Sequence, residues 1–161
     1  MRKEIEEIIT EKCAAQKATV STAESCTGGM IAATLVNVPG VSDIYMEGYI
    51  TYSNEAKERI LGVSSETLKN YGAVSAQTAY EMACGCAKAA HSDYAIVTTG
   101  IAGPGGGTPQ KPVGLVYIGC YAKGNIYTKE CHFDGTRKEI RSAATTCALE
   151  FLNEHIEGGL S

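Results

Sequence analysis

The sequence predicts an α/β protein, a three-layer α/β/α arrangement around a mixed β-sheet, built as a single domain over residues 1–161. Three observations predict it. Stretches with apolar residues at helical spacing alternate with short runs of β-forming residues, the pattern of βα units. Two such runs are separated only by Lys123-Gly124 and read as a hairpin, so an antiparallel pair follows the parallel units. A length of 161 residues with 44% hydrophobic and 20% charged composition is enough for one buried core.

Taken in order, Ile5, Ile8, Ile9 and Cys13 recur at helical spacing and predict an amphipathic helix over residues 3–16. Thr19 to Ala23 reads as a strand. It runs through Glu24-Ser25-Cys26-Thr27-Gly28-Gly29 into a helix carrying Ile31 and Leu35, which stops before Pro39-Gly40. Gly48 to Ser53 alternates and predicts a second strand; a short helix follows, capped by Ser53 or Asn54, with Lys57 in its first turns. Ser75 caps the next helix, whose stripe is Ala79, Met82, Ala83, Cys86, Ala87 and Ala90. The continuous run Tyr94 to Thr99 suits a buried strand. A loop from Gly100 to Pro112 holds three of the four prolines, and Val113–Tyr121 and Asn125–Phe133 form the hairpin. Thr136 and Glu139 have capping-box spacing and open a last helix with Ile140, Ala143, Ala144, Cys147, Ala148 and Phe151 inward. Gly158 to Ser161 reads as a frayed tail.

The formal net charge of −4 argues against nucleic-acid binding through many phosphates, yet leaves room for a small phosphorylated ligand held by one arginine and backbone N–H groups. No apolar run is long enough to span a membrane. The first ten residues are charged and lack the apolar centre of a signal peptide, so a cytoplasmic location is expected. Seven cysteines, an odd count with no Cys-x-x-Cys pair, read as free thiols in a reducing compartment, packed as small hydrophobes with Cys26 set apart by its place in a motif. The histidines at 91, 132 and 155 are scattered, and the aspartates at 43, 93 and 134 are isolated. Neither a bound metal nor a Ser-His-Asp triad is expected, and no cofactor is implied.

Two segments are costly to explain as scaffold. Ser25-Cys26-Thr27-Gly28-Gly29 lies at a strand-to-helix junction, where ligands of α/β proteins gather; the alternative is a tight turn in which Ser25 or Thr27 caps a helix. Gly103 to Thr108 contains four glycines, one proline and one threonine, which suits backbone N–H groups turned toward a ligand or, alternatively, a structural wrap around the sheet edge. It is neither a nucleoside-triphosphate loop nor a dinucleotide fingerprint. Between them stands Tyr52-Ser53-Asn54-Glu55-Ala56-Lys57. A lysine whose pKa falls on burial can deprotonate a serine, though a lone helical lysine is also what a solvated face carries.

Thr22-Ala-Glu-Ser-Cys-Thr-Gly-Gly29, Tyr52 to Lys57, Gly72-Ala-Val-Ser75, Thr99 to Gly107 with Lys111-Pro-Val-Gly114, and Phe133-x-Gly-x-Arg137 with Arg141 resemble the CinA C-terminal family. These are the competence/damage-inducible protein C-terminal domains, many of them nicotinamide-nucleotide amidases. The resemblance covers roughly residues 5 to 155. It implies hydrolysis of nicotinamide mononucleotide to nicotinic acid mononucleotide and ammonia, in pyridine-nucleotide salvage. It further implies Ser25 as nucleophile, Lys57 as its activating base, and Tyr52 as a residue that orients the lysine or relays a proton. Thr27, Gly28 and Gly29 would line the site. Thr99, Gly100, Gly103, Gly105 and the following glycines would form the nucleotide-binding loop, with Arg141 and then Arg137 facing the phosphate or a neighbouring subunit.

The family association and the striped helices lead us to expect a homo-oligomer with a small-molecule nucleotide substrate and no nucleic-acid or membrane partner. Val41, Met46 and Glu47 fall in a linker where related chains often carry small, aromatic or glycine residues, a departure bearing on the pocket rim or an oligomer contact. The large N-terminal domain often fused to this module has no counterpart here, so amidase activity alone is expected. The competing reading is a non-catalytic nucleotide-binding module of the competence or damage-response type. A phosphotransferase is the weaker third, since no phosphate-loop lysine or metal-binding acids accompany the glycines.

Overall fold

The structure, a computed structural model, describes residues 1–156; the expected tail at 158–161 lies outside them. Helix α1 (Ile5–Gln16) begins with a capping box between Glu4 and Glu7, which satisfies amide groups that the first turn leaves free. It leads into β1 (Val20–Glu24), buried along its whole length, then α2 (Met30–Leu35) and β2 (Tyr45–Ile50). Helices α3 (Asn54–Leu61), α4 (Ser65–Tyr71) and α5 (Ala76–Ala90) precede β3 (Tyr94–Gly100). The hairpin β4 (Leu115–Ala122) and β5 (Asn125–His132) turns at Lys123-Gly124, and α6 (Arg137–His155) closes the fold from the Thr136–Glu139 capping box.

The five strands form one sheet in the order β2-β1-β3-β4-β5. β1 runs parallel to both β2 and β3, while β4 is antiparallel to β3 and β5 to β4, so the sheet is mixed as the sequence predicts. The period-two alternation of strands sorts the core into two layers. Val20, Ile96 and Ile118 meet Ile9 and Cys13 of α1, Ile31 and Leu35 of α2, and Ile140, Leu149 and Leu152 of α6. Ala23, Ala95 and Val97 point the other way, to Leu61 of α3, Leu68 of α4, and Met82, Ala83 and Cys86 of α5. Helices therefore cover both faces, and the carboxyl ends of β1, β2 and β3 open at one edge of the sheet.

Two expectations are corrected. The second strand spans Tyr45–Ile50 rather than Gly48–Ser53, because its partner β1 ends at Glu24, opposite Ile50, and Ser53, still extended, serves instead as the cap of α3, accepting from the Ala56 N–H at 3.0 Å. Met46 and Glu47 accordingly lie in an edge strand, not in a linker. Helix α4 was not anticipated, since its seven residues bury Leu68 alone and offer no apolar period.

Candidate functional site

Ser25 is the first residue beyond β1. Its N–H donates to the Thr98 carbonyl of β3 at 3.1 Å, which extends the parallel ladder by one step and fixes the serine backbone. Strand alternation then sends its side chain to the α3 face. Lys57 comes up from the first turns of α3, where the Ser53 cap sets the helix start. Lys57 is 1% exposed, the second-largest fully buried side chain among the described residues. The Nζ donates to three oxygens, Thr51 O at 3.0 Å, Ser25 Oγ at 3.2 Å and Tyr52 O at 3.3 Å.

Burial pushes the Lys57 ammonium below its ordinary value of 10.5. Among the described residues no carboxylate pairs with it. The three contacts match the needs of the neutral amine as well. Two N–H bonds satisfied by the Thr51 and Tyr52 carbonyls leave one lone pair, and the remaining neighbour is the Ser25 hydroxyl. That is the geometry of a base poised on a nucleophile. Cys26, next in sequence, is a different case. Burial pushes its thiol up to about 11, so it stays protonated and poorly nucleophilic at neutral pH.

The pair sits in a half-open cavity of about 290 Å³. Tyr52, Asn54, Thr99, Gly100 and Arg137 line it along with the glycine loop. Its charged lining residues are Lys57 and Arg137, and among the described residues no acidic side chain lines it. Among the described residues, the backbone N–H groups of Ala102, Gly103, Gly105, Gly106 and Gly107 enter no backbone hydrogen bond, so the loop offers free donors. It is held in place from outside. Ile101 and Leu115 pair across its base, and the Lys111 ammonium donates to the Tyr71 carbonyl at the end of α4. Thr99 donates its hydroxyl to Ala73 O at 2.8 Å, tying β3 to the α4–α5 connection. Arg137 is already engaged, donating to Gly103 O at 2.8 Å and to the Tyr52 hydroxyl at 3.1 Å.

Of the residues predicted from sequence, Ser25, Tyr52, Lys57, Thr99, Gly100, Gly103, Gly105 and Arg137 come together around this cavity. Thr27, Gly28, Gly29 and Arg141 do not line it. Thr27 falls on the opposite face and donates its hydroxyl to Glu24 at 2.7 Å. Arg141 spends its guanidinium on two carbonyls of the serine turn, Cys26 O at 2.9 Å and Thr27 O at 3.1 Å, so it braces the turn while Arg137 faces the cavity. Tyr52 acts on Lys57 through its carbonyl; its 62% exposed ring carries the hydroxyl to Arg137 instead. Sequence reasoning gave no site role to Asn54, Ala73, Val74, Ile101 and Ala102, which also line the cavity. The signal for Asn54 was available, since the first residue of a helix capped by Ser53 must sit at the mouth of the β2–α3 turn. Ala73 and Val74 stand in the Gly72–Ser75 motif, but their side chains carry no polar group that would mark them as site residues.

Among the described residues no cluster of His, Cys, Asp and Glu comes together that could hold a metal ion, and no helix is long and apolar enough to cross a membrane. A family model described as the CinA C-terminal domain matches residues 2–156. The chain is 55% identical over 148 residues to a Clostridium beijerinckii protein whose name calls it competence-damage inducible, covering 92% of this chain and 36% of that one. It thus spans little more than a third of the length of the curated relatives it matches. Among solved structures, a competence/damage inducible protein from Agrobacterium tumefaciens superposes with a TM-score of 0.89 at 45% identity, covering 92% of this chain and 91% of that one. A competence damage-inducible protein from Klebsiella pneumoniae gives 0.92 at 34% identity, covering 97% of each. The fold, the order of the motifs and these likenesses agree: the chain belongs to the CinA C-terminal domain family.

Proposed function

We propose that the chain is an amidase that hydrolyses the carboxamide of nicotinamide mononucleotide, giving nicotinic acid mononucleotide and ammonia in pyridine-nucleotide salvage. One observation carries this reading. A serine hydroxyl lies 3.2 Å from the amine of a buried lysine, in a cavity whose wall presents an arginine and unpaired backbone N–H groups.

In the proposed reaction the Ser25 oxygen attacks the carboxamide carbon while its proton passes to Lys57 Nζ. The carbonyl oxygen takes on negative charge, held by N–H donors of the cavity wall. Collapse of this intermediate breaks the C–N bond, and the proton on Lys57 leaves with ammonia. A water then attacks the ester on Ser25, with Lys57 again taking the proton and returning it to the serine oxygen. The phosphate is anchored by Arg137 and the N–H groups of the 102–107 loop, a charge-assisted arrangement that needs no further cation. A neutral Lys57 also suits the substrate, because the pyridinium ring is cationic and a charged ammonium beside it would be repelled.

Ammonia release from purified protein, measured separately with nicotinamide mononucleotide, nicotinamide riboside and NAD, tests this reading. Release from the mononucleotide with little from the riboside is the expected result. Tight binding of the mononucleotide with no ammonia from any of the three would replace the amidase with a non-catalytic nucleotide-binding module.

A further inference from the structure

The residue before the serine is a glutamate with nothing to do in the reaction above. Glu24 is 1% exposed and has no cationic partner among the described residues. Alternation puts its side chain on the α2 face while Ser25 faces α3. There its carboxylate accepts three hydrogen bonds: Thr27 Oγ1 at 2.7 Å and Ile31 N at 2.8 Å through one oxygen, and Ala32 N at 3.1 Å through the other. Backbone N–H groups at a helix start are favourable partners for carboxylate oxygens, and here they satisfy oxygens that are closed off from water.

Helix α2 needs this partner. Its N-cap position is Gly29, which has no side chain to offer. The connection from β1 to α2 is five residues long, with Gly28 and Gly29 at φ +57° and +105°, so the segment carrying Ser25 has wide backbone freedom of its own. Glu24 closes that segment from both ends, since it is fixed in β1 and grips the first turn of α2. Thr27, between them, also meets Thr98 Oγ1 of β3 at 2.8 Å. The main chain of the same residue serves the base: Glu24 O accepts from Thr51 N at 3.0 Å, and Thr51 O is a Lys57 acceptor.

We propose that Glu24 is a positioning residue: its carboxylate clamps the Ser25–Gly29 turn onto α2 and so sets the distance between Ser25 Oγ and Lys57 Nζ. This rests on the reading of Ser25 and Lys57 as a working pair. Glu24→Gln keeps the shape but turns an NH₂ group toward donors, and a shift of the serine by a fraction of an ångström follows. The expected effect is a fall in kcat of about tenfold to a hundredfold with KM within about twofold, since misplacement of a reacting atom costs rate rather than binding. Thr27→Val removes one of the three bonds without changing charge and is expected to lower kcat in the same sense by less.

The experiment measures, for both variants and the parent, thermal melting, kcat and KM for ammonia release, and the rate at which an alkyl fluorophosphonate labels Ser25, followed by mass spectrometry. Lower kcat with unchanged KM, and slower labelling of folded protein, is the predicted result. If the variants melt earlier while their folded fraction turns over and labels at the parent's rate, Glu24 is only a helix cap and the proposal is overturned. If the parent labels at Ser25 without releasing ammonia, the amidase reading falls, and the labelling rates alone decide: slower in Glu24→Gln upholds the clamp, equal overturns it. A parent that neither labels nor turns over overturns both.

Discussion

Replacing Lys57 with methionine probes the base directly. The swap keeps the length and volume of a side chain that is 1% exposed, so the α3 packing survives, but it deletes the amine that contacts Ser25 Oγ, Thr51 O and Tyr52 O. Two opposing effects act on stability. The two carbonyls lose a donor, at about 1–3 kcal/mol for each group left unsatisfied. Against this, an ammonium no longer has to be desolvated, a cost that follows from the burial of Lys57. The melting temperature should therefore move by only a few degrees. Activity is another matter. A positioned general base contributes about 10²–10⁴ in rate, equivalent to about 2.7–5.4 kcal/mol of barrier. Ammonia release under saturating mononucleotide should fall by that factor while nucleotide binding, followed by calorimetry, stays near the parent value. A Lys57→Met protein that keeps more than a tenth of parental kcat would refute the role of the lysine as base.

Other predictions follow from the same geometry. The kcat/KM of the parent should rise with pH through the pKa of Lys57, on a limb centred below the ordinary 10.5, since only the neutral amine accepts the serine proton. Stability carries the same sign: between that lowered pKa and 10.5 the unfolded chain binds the extra proton, so this group's contribution is complete above 10.5 and is lost as pH falls through the folded value, readable as a pH-dependent melting temperature that Lys57→Met abolishes. Arg137→Ala should raise KM for the mononucleotide by about tenfold or more and leave the riboside almost unaffected, because a charge-assisted contact of about 1.5–3 kcal/mol to phosphate is lost; an equal effect on both would detach Arg137 from the phosphate. Gly103→Ala forces an alanine into φ +79° with its Cβ 2.5 Å from Val113 Cγ1. A cost of at least about 1–2 kcal/mol should lower the melting temperature and raise KM through the displaced loop; an unchanged KM would mean that the loop does not hold the ligand.

Much of this architecture is legible in the sequence because it follows from local rules. Ser53, Ser75 and Thr136 each announce a helix start, and all three accept the expected backbone N–H. The α5 stripe is apolar at helical period and every one of its predicted members is buried. The Ser25–Lys57 encounter is legible only with the fold class in hand, since it needs β1 and β2 to be parallel neighbours so that the β2–α3 turn arrives beside the end of β1. What escaped depends on long-range packing. Nothing local separates Arg137 from Arg141, one helical turn apart; the structure does so because α6 crosses the serine turn at Arg141 and the cavity mouth at Arg137. Glu24 escaped because its partners, the α2 amides, become neighbours only once the strand ends and the chain reverses. β2 begins and ends three residues before the strand the sequence predicts, because Thr51 to Ser53 are as compatible with a strand as with the connection they form.

Intact-mass and ammonia measurements on Ser25→Ala beside the parent test the central claim most directly. Parent protein quenched during turnover of nicotinamide mononucleotide should carry the acyl adduct on Ser25. The alanine variant, still folded and still binding the nucleotide, should show no adduct and release ammonia at less than about a thousandth of the parental rate, the scale on which loss of an activated nucleophile is felt. A folded Ser25→Ala protein that releases ammonia at a rate close to the parent's would contradict the account, and would hand the attack to a water activated by Lys57.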